Sequence, residues 1–147
     1  MKIAIACDHG AYEYKEMIKK MLLEQGHEVK DFGTDSTASM DYPDTALPCA
    51  QAVASGEYER GIVMCGTGIG VSMTANKVKG IRCALCSDPL SARLTREHND
   101  SNMLAFGQRI IGSEMAKEIV NVWLQTPFSN GERHIKRIKK LMDIEKL

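Results

Sequence analysis

Aromatic side chains are sparse in this 147-residue chain, at 5%. They are also scattered, so they offer no surface on which nucleic-acid bases could stack. Net charge is missing as well: 19 Lys and Arg offset 19 Asp and Glu. That balance excludes the basic excess of a nucleic-acid binder and the acidic tail of a disordered segment, although a local cationic pocket remains compatible with it. No apolar run nears the roughly 20 residues needed to span a bilayer. The opening MKIAIACDHG holds one lysine and an apolar run of five residues, too short for a secretory signal. The five cysteines (Cys7, Cys49, Cys65, Cys83, Cys86) are an odd number without disulfide-like spacing, which predicts reduced thiols and a cytoplasmic setting. No His, Cys, Asp or Glu cluster has the spacing of a metal site, and there is no Ser-His-Asp signature. Chemistry without a metal or cofactor, on a small anion, is what remains.

What is present is a regular alternation of hydrophobic periods. KIAIAC (residues 2–7) reads as a strand, and residues 11–25 carry apolar groups at helical spacing before Gly26. HEVKDFG (27–33) alternates like a strand and is followed by a polar loop to Tyr42-Pro43. A helix is expected over about 44–55. RGIVMC (60–65) is a continuous apolar strand, as expected when both faces of a sheet are covered. Helix 69–77, a buried strand at GIRCALCS (80–87) and helix 89–98 follow. Strand NMLAFGQRI (102–110), helix 113–125 and a basic helix over about 132–146 complete the chain. Strict β-α alternation predicts an α/β fold: one doubly wound domain over residues 1–147, with a five-stranded parallel sheet between two layers of helices. The cysteines of CALC lie three apart on a strand, so they point to opposite faces and do not form a redox pair.

In such sheets ligands sit beyond the carboxyl ends of the strands, at the point where strand order reverses. Asp8 and His9 follow the first strand, and Cys65 to Gly70 follow the third, so they are expected in one crevice. The segment CGTGIG places Gly66, Gly68 and Gly70 between a strand and a helix, where backbone N–H groups can face an anion. A dinucleotide fingerprint would need glycine at position 71, which is valine, and no Lys-Ser or Lys-Thr follows for a Walker loop. Cys65 heads the loop, at a strand end beside a helix start, where a thiol is suited to act as nucleophile or base. Thr67 adds a hydroxyl two residues on.

Asp8 reads equally as a helix cap or a site carboxylate, whereas His9 has no comparable structural duty. His98 and Asn99 fall at a helix end, where a histidine could also serve the helix dipole. Arg133 and Arg137 share one face of the last helix, with His134 adjoining, and two arginines on successive turns suit a phosphate dianion. A solvated basic face is the plainer reading of that helix. Ile135, Ile138, Leu141 and Met142 form its apolar stripe, and whether it serves this chain's crevice or a neighbouring subunit's is open from spacing.

Taken together, CDHGAY, DYPD, CGTGIGVSMTANKVKGIRCAL, REHNDSNMLAFGQRIIG and ERHIKRI closely resemble the type B ribose-5-phosphate isomerases. These group with the galactose-6-phosphate isomerase subunits in one sugar-phosphate isomerase family, and the resemblance runs nearly end to end. It implies Rossmann-like subunits without metal or organic cofactor, in a cytoplasmic homodimer or dimer of dimers. Each active site would be shared across the interface, with helix 132–146 packing on the partner. The implied reaction interconverts ribose 5-phosphate and ribulose 5-phosphate, in the non-oxidative pentose phosphate pathway. By the same resemblance Cys65 matches the base that moves a proton between C2 and C1. Gly66, Thr67, Gly68, Ile69 and Gly70 match the loop that holds the enediolate oxygens, and His98 matches the acid that opens the sugar ring. Asp8 and Tyr42 match groups near the sugar hydroxyls. His9, Arg109, Arg133 and Arg137 match the phosphate set, and Asn99 a further substrate contact. Glu132 departs from the pattern, since many members have glycine there. Two alternatives share these residues: isomerisation of a six-carbon phosphate such as allose or galactose 6-phosphate, and a non-catalytic mononucleotide-binding module. A thiol redox protein would rest on the cysteine count alone.

Overall fold

The computed structural model describes all 147 residues. Five strands, β1 (Lys2–Cys7), β2 (Glu28–Asp31), β3 (Arg60–Cys65), β4 (Cys83–Leu85) and β5 (Met103–Gly107), alternate with helices. These are α1 (Tyr12–Glu24), α2 (Pro43–Ala54), α3 (Ile69–Ala75), α4 (Pro89–Asn99), α5 (Ser113–Gln125) and α6 (Glu132–Asp143). Every strand pair is parallel, in the order β2-β1-β3-β5-β4. The order reverses between β1 and β3, which places the switch point where the α/β reading expects a ligand crevice.

Alternation along the central strands divides the core into two layers, because successive side chains point to opposite faces. Ile3, Ile5, Ile62, Met64, Leu104 and Phe106 pack with Ile18, Leu22, Ile119 and Trp123 of α1 and α5. The other face carries Ala4, Ala6, Val63, Cys65 and Ala105 and packs on Ala46, Ala50, Val71 and Ala75 of α2 and α3. Small residues on both sides of that second layer let α2 and α3 approach the sheet closely. Each fully buried Ile or Leu contributes about 1.5–3 kcal/mol of transfer free energy. Trp123 keeps its indole N–H satisfied by donating to Ser101 Oγ at 2.9 Å.

Several boundaries differ from the sequence-based expectation. The first helix begins as a 3-10 turn at His9–Ala11, because Asp8 caps that turn rather than α1. The fourth strand is not the long buried strand expected over 80–87. It covers only Cys83–Leu85, at the sheet edge with one neighbour, and Leu85 is exposed. The fifth strand stops at Gly107, since the backbone turns there and the N–H groups of Ile110 and Ile111 return to Gly107 O. Cys83 packs in the α2/α3 layer and Cys86 in the opposite one, as the strand geometry requires, and all five cysteines are free thiols.

The β2–α2 connection is anchored by a buried charge. Lys15 is fully buried on α1 and donates to both carboxylate oxygens of Asp31, at 3.0 and 2.8 Å, and to Thr34 O at 2.5 Å. Asp31 also accepts from the Gly33 amide at 2.8 Å. Gly33 O and Thr34 N in turn bond Cys7 at the end of β1. The stretch from Gly33 to Tyr42 thereby starts from a fixed point beside the switch crevice.

Candidate active site

Cys65 is the last residue of β3 and only 5% exposed. Its sulfur accepts a hydrogen bond from the Gly68 amide at 3.1 Å and lies 4.0 Å from Thr67 Oγ1. Thr67 Oγ1 itself accepts from the Ile69 amide at 3.2 Å, so its hydroxyl proton is the part left to donate. The loop is fastened to the end of β5: Gln108 N–H donates to Cys65 O at 3.0 Å and Arg109 N–H to Gly66 O at 2.9 Å. The amides of Gly66 and Thr67 find no acceptor within the protein. A buried sulfur held by one amide, a hydroxyl 4.0 Å from it and two unpaired amides in the same short loop make an arrangement able to hold an oxyanion next to a base.

The three glycines are needed for a reason other than ligand approach alone. A Cβ at Gly68 would lie 2.7 Å from the Phe106 backbone, and its φ of +79° is itself one that favours glycine. A Cβ at Gly66 would come within 3.1 Å of the Arg109 guanidinium, and one at Gly70 within 2.7 Å of the Tyr42 ring. The loop thus admits two other candidate residues, Arg109 and Tyr42, over its own backbone.

Across the switch point, Asp8 N–H donates to Met64 O at 3.2 Å, tying the end of β1 to β3. Asp8 is 8% exposed, and its Oδ1 accepts from the Gly10 amide at 2.8 Å. The capping role is real, and it aims a buried carboxylate into the same crevice. Gly10 faces Gly66, where a Cβ would stand 3.1 Å from Gly66 N. His9 Nδ1 accepts from the Met40 amide at 3.2 Å, which leaves Nε2 as the donor of the neutral ring. Asp8, His9, Tyr42, Cys65, the glycine loop and Arg109 accordingly form one constellation.

His98, Asn99, Arg133 and Arg137 form another. His98 and Asn99 end α4, and the His98 ring stacks on His134 of α6 with centroids 4.5 Å apart and planes at 13°. His98, Asn99, His134 and Arg137 line a cavity of about 240 Å³ with Ile138 and Leu141. Desolvation in the stack, then the neighbouring His98, Arg133 and Arg137, hold His134 below the usual histidine range. Arg109, Arg133 and Arg137 have no carboxylate partner within 4.0 Å, although Arg82, Arg93 and Arg96 do. Glu132, the departure from the family pattern, takes the first turn of α6, where a negative charge suits the helix start.

The two constellations do not meet within one chain. In register, Gly107 pairs with Cys65 at the carboxyl end of the sheet, while α4 leads into Met103 at the opposite end. The rise of β5 alone separates those ends by roughly 13 Å. No helix residue of α6 is buried, and Ile135 and Leu141 of its apolar stripe are each 49% exposed.

The remaining cysteines are structural. Burial pushes the Cys7 and Cys86 thiols up to about 11, and pushes Cys49 and Cys83 higher still. No group of three or more His, Cys, Asp or Glu side chains could hold a metal ion, and no helix is long and apolar enough to cross a membrane. Two contributors had little signal in sequence. Met40 acts through its backbone amide, and His134 acts through a stack that depends on how α6 packs on α4.

The ribose/galactose isomerase family model matches residues 3–141. Ribose-5-phosphate isomerase B of Escherichia coli is 49% identical over 144 residues, covering 98% of this chain and 96% of that protein. D-erythrulose-4-phosphate isomerase of Pectobacterium atrosepticum is 43% identical over 132 residues, covering 89% and 87%. The structure of Clostridium thermocellum ribose-5-phosphate isomerase B superposes with a TM-score of 0.97 at 52% identity, covering 99% and 98% of the two chains. With its switch-point crevice built on Cys65 and its sequence matched over residues 3–141, the chain belongs to the ribose/galactose isomerase family.

Proposed function

We propose that this chain is an aldose-ketose isomerase that interconverts ribose 5-phosphate and ribulose 5-phosphate. The observation that carries the reading is the buried Cys65 sulfur, held by the Gly68 amide at 3.1 Å beside the unpaired Gly66 and Thr67 amides, in a chain 49% identical to a ribose-5-phosphate isomerase. A proton next to a carbonyl is weakly acidic, so its removal needs a placed base and donors aimed at the oxygen that gains charge.

His98 donates a proton to the ring oxygen as the C1–O4 bond breaks, and the O1 hydroxyl gives its proton to water as the C1 carbonyl forms. Cys65, as thiolate, takes the proton from C2, and the electron pair moves onto the C1 carbonyl oxygen to give an enediolate. The amides of Gly66 and Thr67, with the Thr67 hydroxyl, hold its oxygens. The Cys65 thiol then returns the proton to C1, the proton of the O2 hydroxyl passes to O1, and the carbonyl now stands at C2. Asp8, Tyr42 and Asn99 contact the sugar hydroxyls, and His9, Arg109, Arg133 and Arg137 hold the phosphate. That grip converts remote binding energy into orientation of the reacting carbons.

The site is shared in this reading. Cys65 and His98 lie at opposite ends of one sheet, so a second copy of the chain supplies His98, Asn99, Arg133 and Arg137 to the Cys65 crevice. The uncovered stripe of α6 supports the same arrangement, since a helix face bearing Ile135 and Leu141 gains by packing on a partner. A homodimer is the smallest assembly that completes two such sites, and a dimer of dimers contains the same pairs. The free thiols suit a cytoplasmic setting.

Incubation with ribose 5-phosphate in heavy water tests the reaction. Ribulose 5-phosphate carrying deuterium at C1 is the expected product. Absence of any ketose, with ribose 5-phosphate bound but unchanged, would overturn the reading. Comparing kcat/KM on ribose 5-phosphate with that on allose and galactose 6-phosphates separates the five-carbon from the six-carbon alternative.

A further inference from the structure

The end of α4 is held by a residue that none of the assigned roles uses. The helix stops at Asp100, whose φ of 45° is left-handed, and whose N–H returns to Arg96 O at 3.3 Å. The carbonyls exposed by that turn carry the negative end of the helix dipole. Glu97 O is taken by Ser129, whose Oγ donates at 2.5 Å. Those of Asn99 and Asp100 are taken by one guanidinium. Arg82 Nε donates to Asn99 O at 3.0 Å and to Asp100 O at 3.2 Å, and Nη2 donates to Asp100 O at 2.7 Å. Nη1 faces Met142 Sδ of α6 at 3.5 Å. The Asp100 carboxylate lies 3.7 Å from Arg82 Nη2 and 2.9 Å from Arg96 Nη1.

Arg82 is itself fixed. Its own N–H donates to Asn102 Oδ1 at 2.8 Å, and Asn102 Nδ2 donates to Gly80 O at 2.9 Å. Its side chain is 18% exposed, and each of its nitrogens is directed at Asn99, Asp100 or Met142 rather than outward. It is therefore not a phosphate ligand in waiting, unlike Arg137.

We infer that Arg82 is a positioning residue for His98: it clamps the last carbonyl of α4, at Asn99, and that of its cap residue Asp100 to α6, and so sets the His98 ring against His134 and Arg137. The inference rests on the reading of His98 as the ring-opening acid. Fork geometry is what the clamp needs, because one planar group must reach two successive carbonyls and a sulfur; a lysine reaches one of them. A shift of about 1 Å in an acid can cost about 10²-fold in rate.

Two substrates separate positioning from plain support of the fold. Ribose 5-phosphate is a furanose and must be opened, whereas ribulose 5-phosphate is acyclic because its O5 is esterified. Exchange of the ribulose 5-phosphate C1 hydrogen with heavy water reads Cys65 chemistry without ring opening. In the full-length protein, Arg82→Met is expected to lower kcat on ribose 5-phosphate by about 10- to 100-fold. Exchange into ribulose 5-phosphate should fall by less than about threefold, and Arg82→Lys should lie between Met and wild type. His98→Gln, measured alongside, should show the same split. Equal losses on both substrates, or no loss on ribose 5-phosphate, in a folded Arg82→Met protein would overturn the inference. If Arg82→Met does not fold, Arg82→Lys and Asp100→Asn carry the same comparison, and a split absent from both overturns it. A His98→Gln protein that turns over ribose 5-phosphate normally would instead remove the acid assignment on which the inference stands.

Discussion

The Gly68 amide donates to the Cys65 sulfur across 3.1 Å. A hydrogen bond to sulfur strengthens when the acceptor is charged, so the loop that shapes the crevice also fixes the direction of its base. Cys65→Ala is expected to lower kcat by about 10²–10⁴-fold, the range of a placed general base. Its thermal midpoint should stay close to wild type, and ribose 5-phosphate should still bind by calorimetry. Turnover within a few-fold of wild type would remove Cys65 from the proton transfer.

Gly68 and Gly70 should respond differently to the same substitution. At Gly70 a methyl meets the Tyr42 ring at 2.7 Å, the flexible end of a half-exposed side chain, and the backbone is helical. Gly70→Ala should fold with unchanged or slightly higher stability, since alanine favours helix by about 1 kcal/mol, yet lose activity because Tyr42 is displaced. Gly68→Ala meets the Phe106 backbone and a positive φ, and should lose about 1–3 kcal/mol or more of stability. Denaturant melts and kcat/KM on both variants check the contrast.

Arg137→Ala removes a cation with no carboxylate partner, so nothing inside the fold is left unpaired. KM for ribose 5-phosphate should rise at least about tenfold, as expected for a lost charge-assisted phosphate contact, with little change in melting temperature. An unchanged KM would take Arg137 out of the phosphate set.

The Lys15–Asp31 pair makes a stability prediction with a pH sign. Burial alone would raise the Asp31 carboxyl, but Lys15, the Gly33 amide and Lys19 outweigh it and hold Asp31 below the usual carboxylate range. Burial would likewise lower Lys15, and Asp31 outweighs it and holds the ammonium above its ordinary value. Asp31 therefore contributes stability that is present above its unfolded value of about 3.9 and is lost as pH falls through its lower folded value. Lys15 contributes stability that is present below its unfolded value of about 10.4 and is lost as pH rises through its higher folded value. Lys15→Met leaves Asp31 without its main partner and should cost about 3–5 kcal/mol at neutral pH. The difference from wild type should shrink as Asp31 protonates in acid, measured by urea unfolding across pH.

Much of this organisation was legible in the chain. The 60–65 strand, the CGTGIG loop and the β-α alternation placed Asp8, His9 and Cys65 in one crevice, because parallel sheets fix which strand ends are adjacent. The edge position of β4 was not legible, since GIRCALCS is apolar enough to read as a buried strand. The fork of Arg82 and the His98–His134 stack depend on how α6 lies on α4, and no local period encodes that packing. The glycines read in sequence as an anion loop, and that pattern did not reveal that Gly66 and Gly70 also make room for Arg109 and Tyr42.

In the proposed enzyme one active site is built from two copies, with Cys65 from one and His98 from the other. Mixing Cys65→Ala and His98→Gln proteins, each nearly inactive alone, under conditions that let subunits exchange tests it directly. Random pairing makes half the dimers hybrid, and each hybrid holds one site with both native residues, so about one quarter of wild-type activity should return. Activity that stays at the level of the separate variants after exchange, shown by mass labelling of the subunits, would contradict the account.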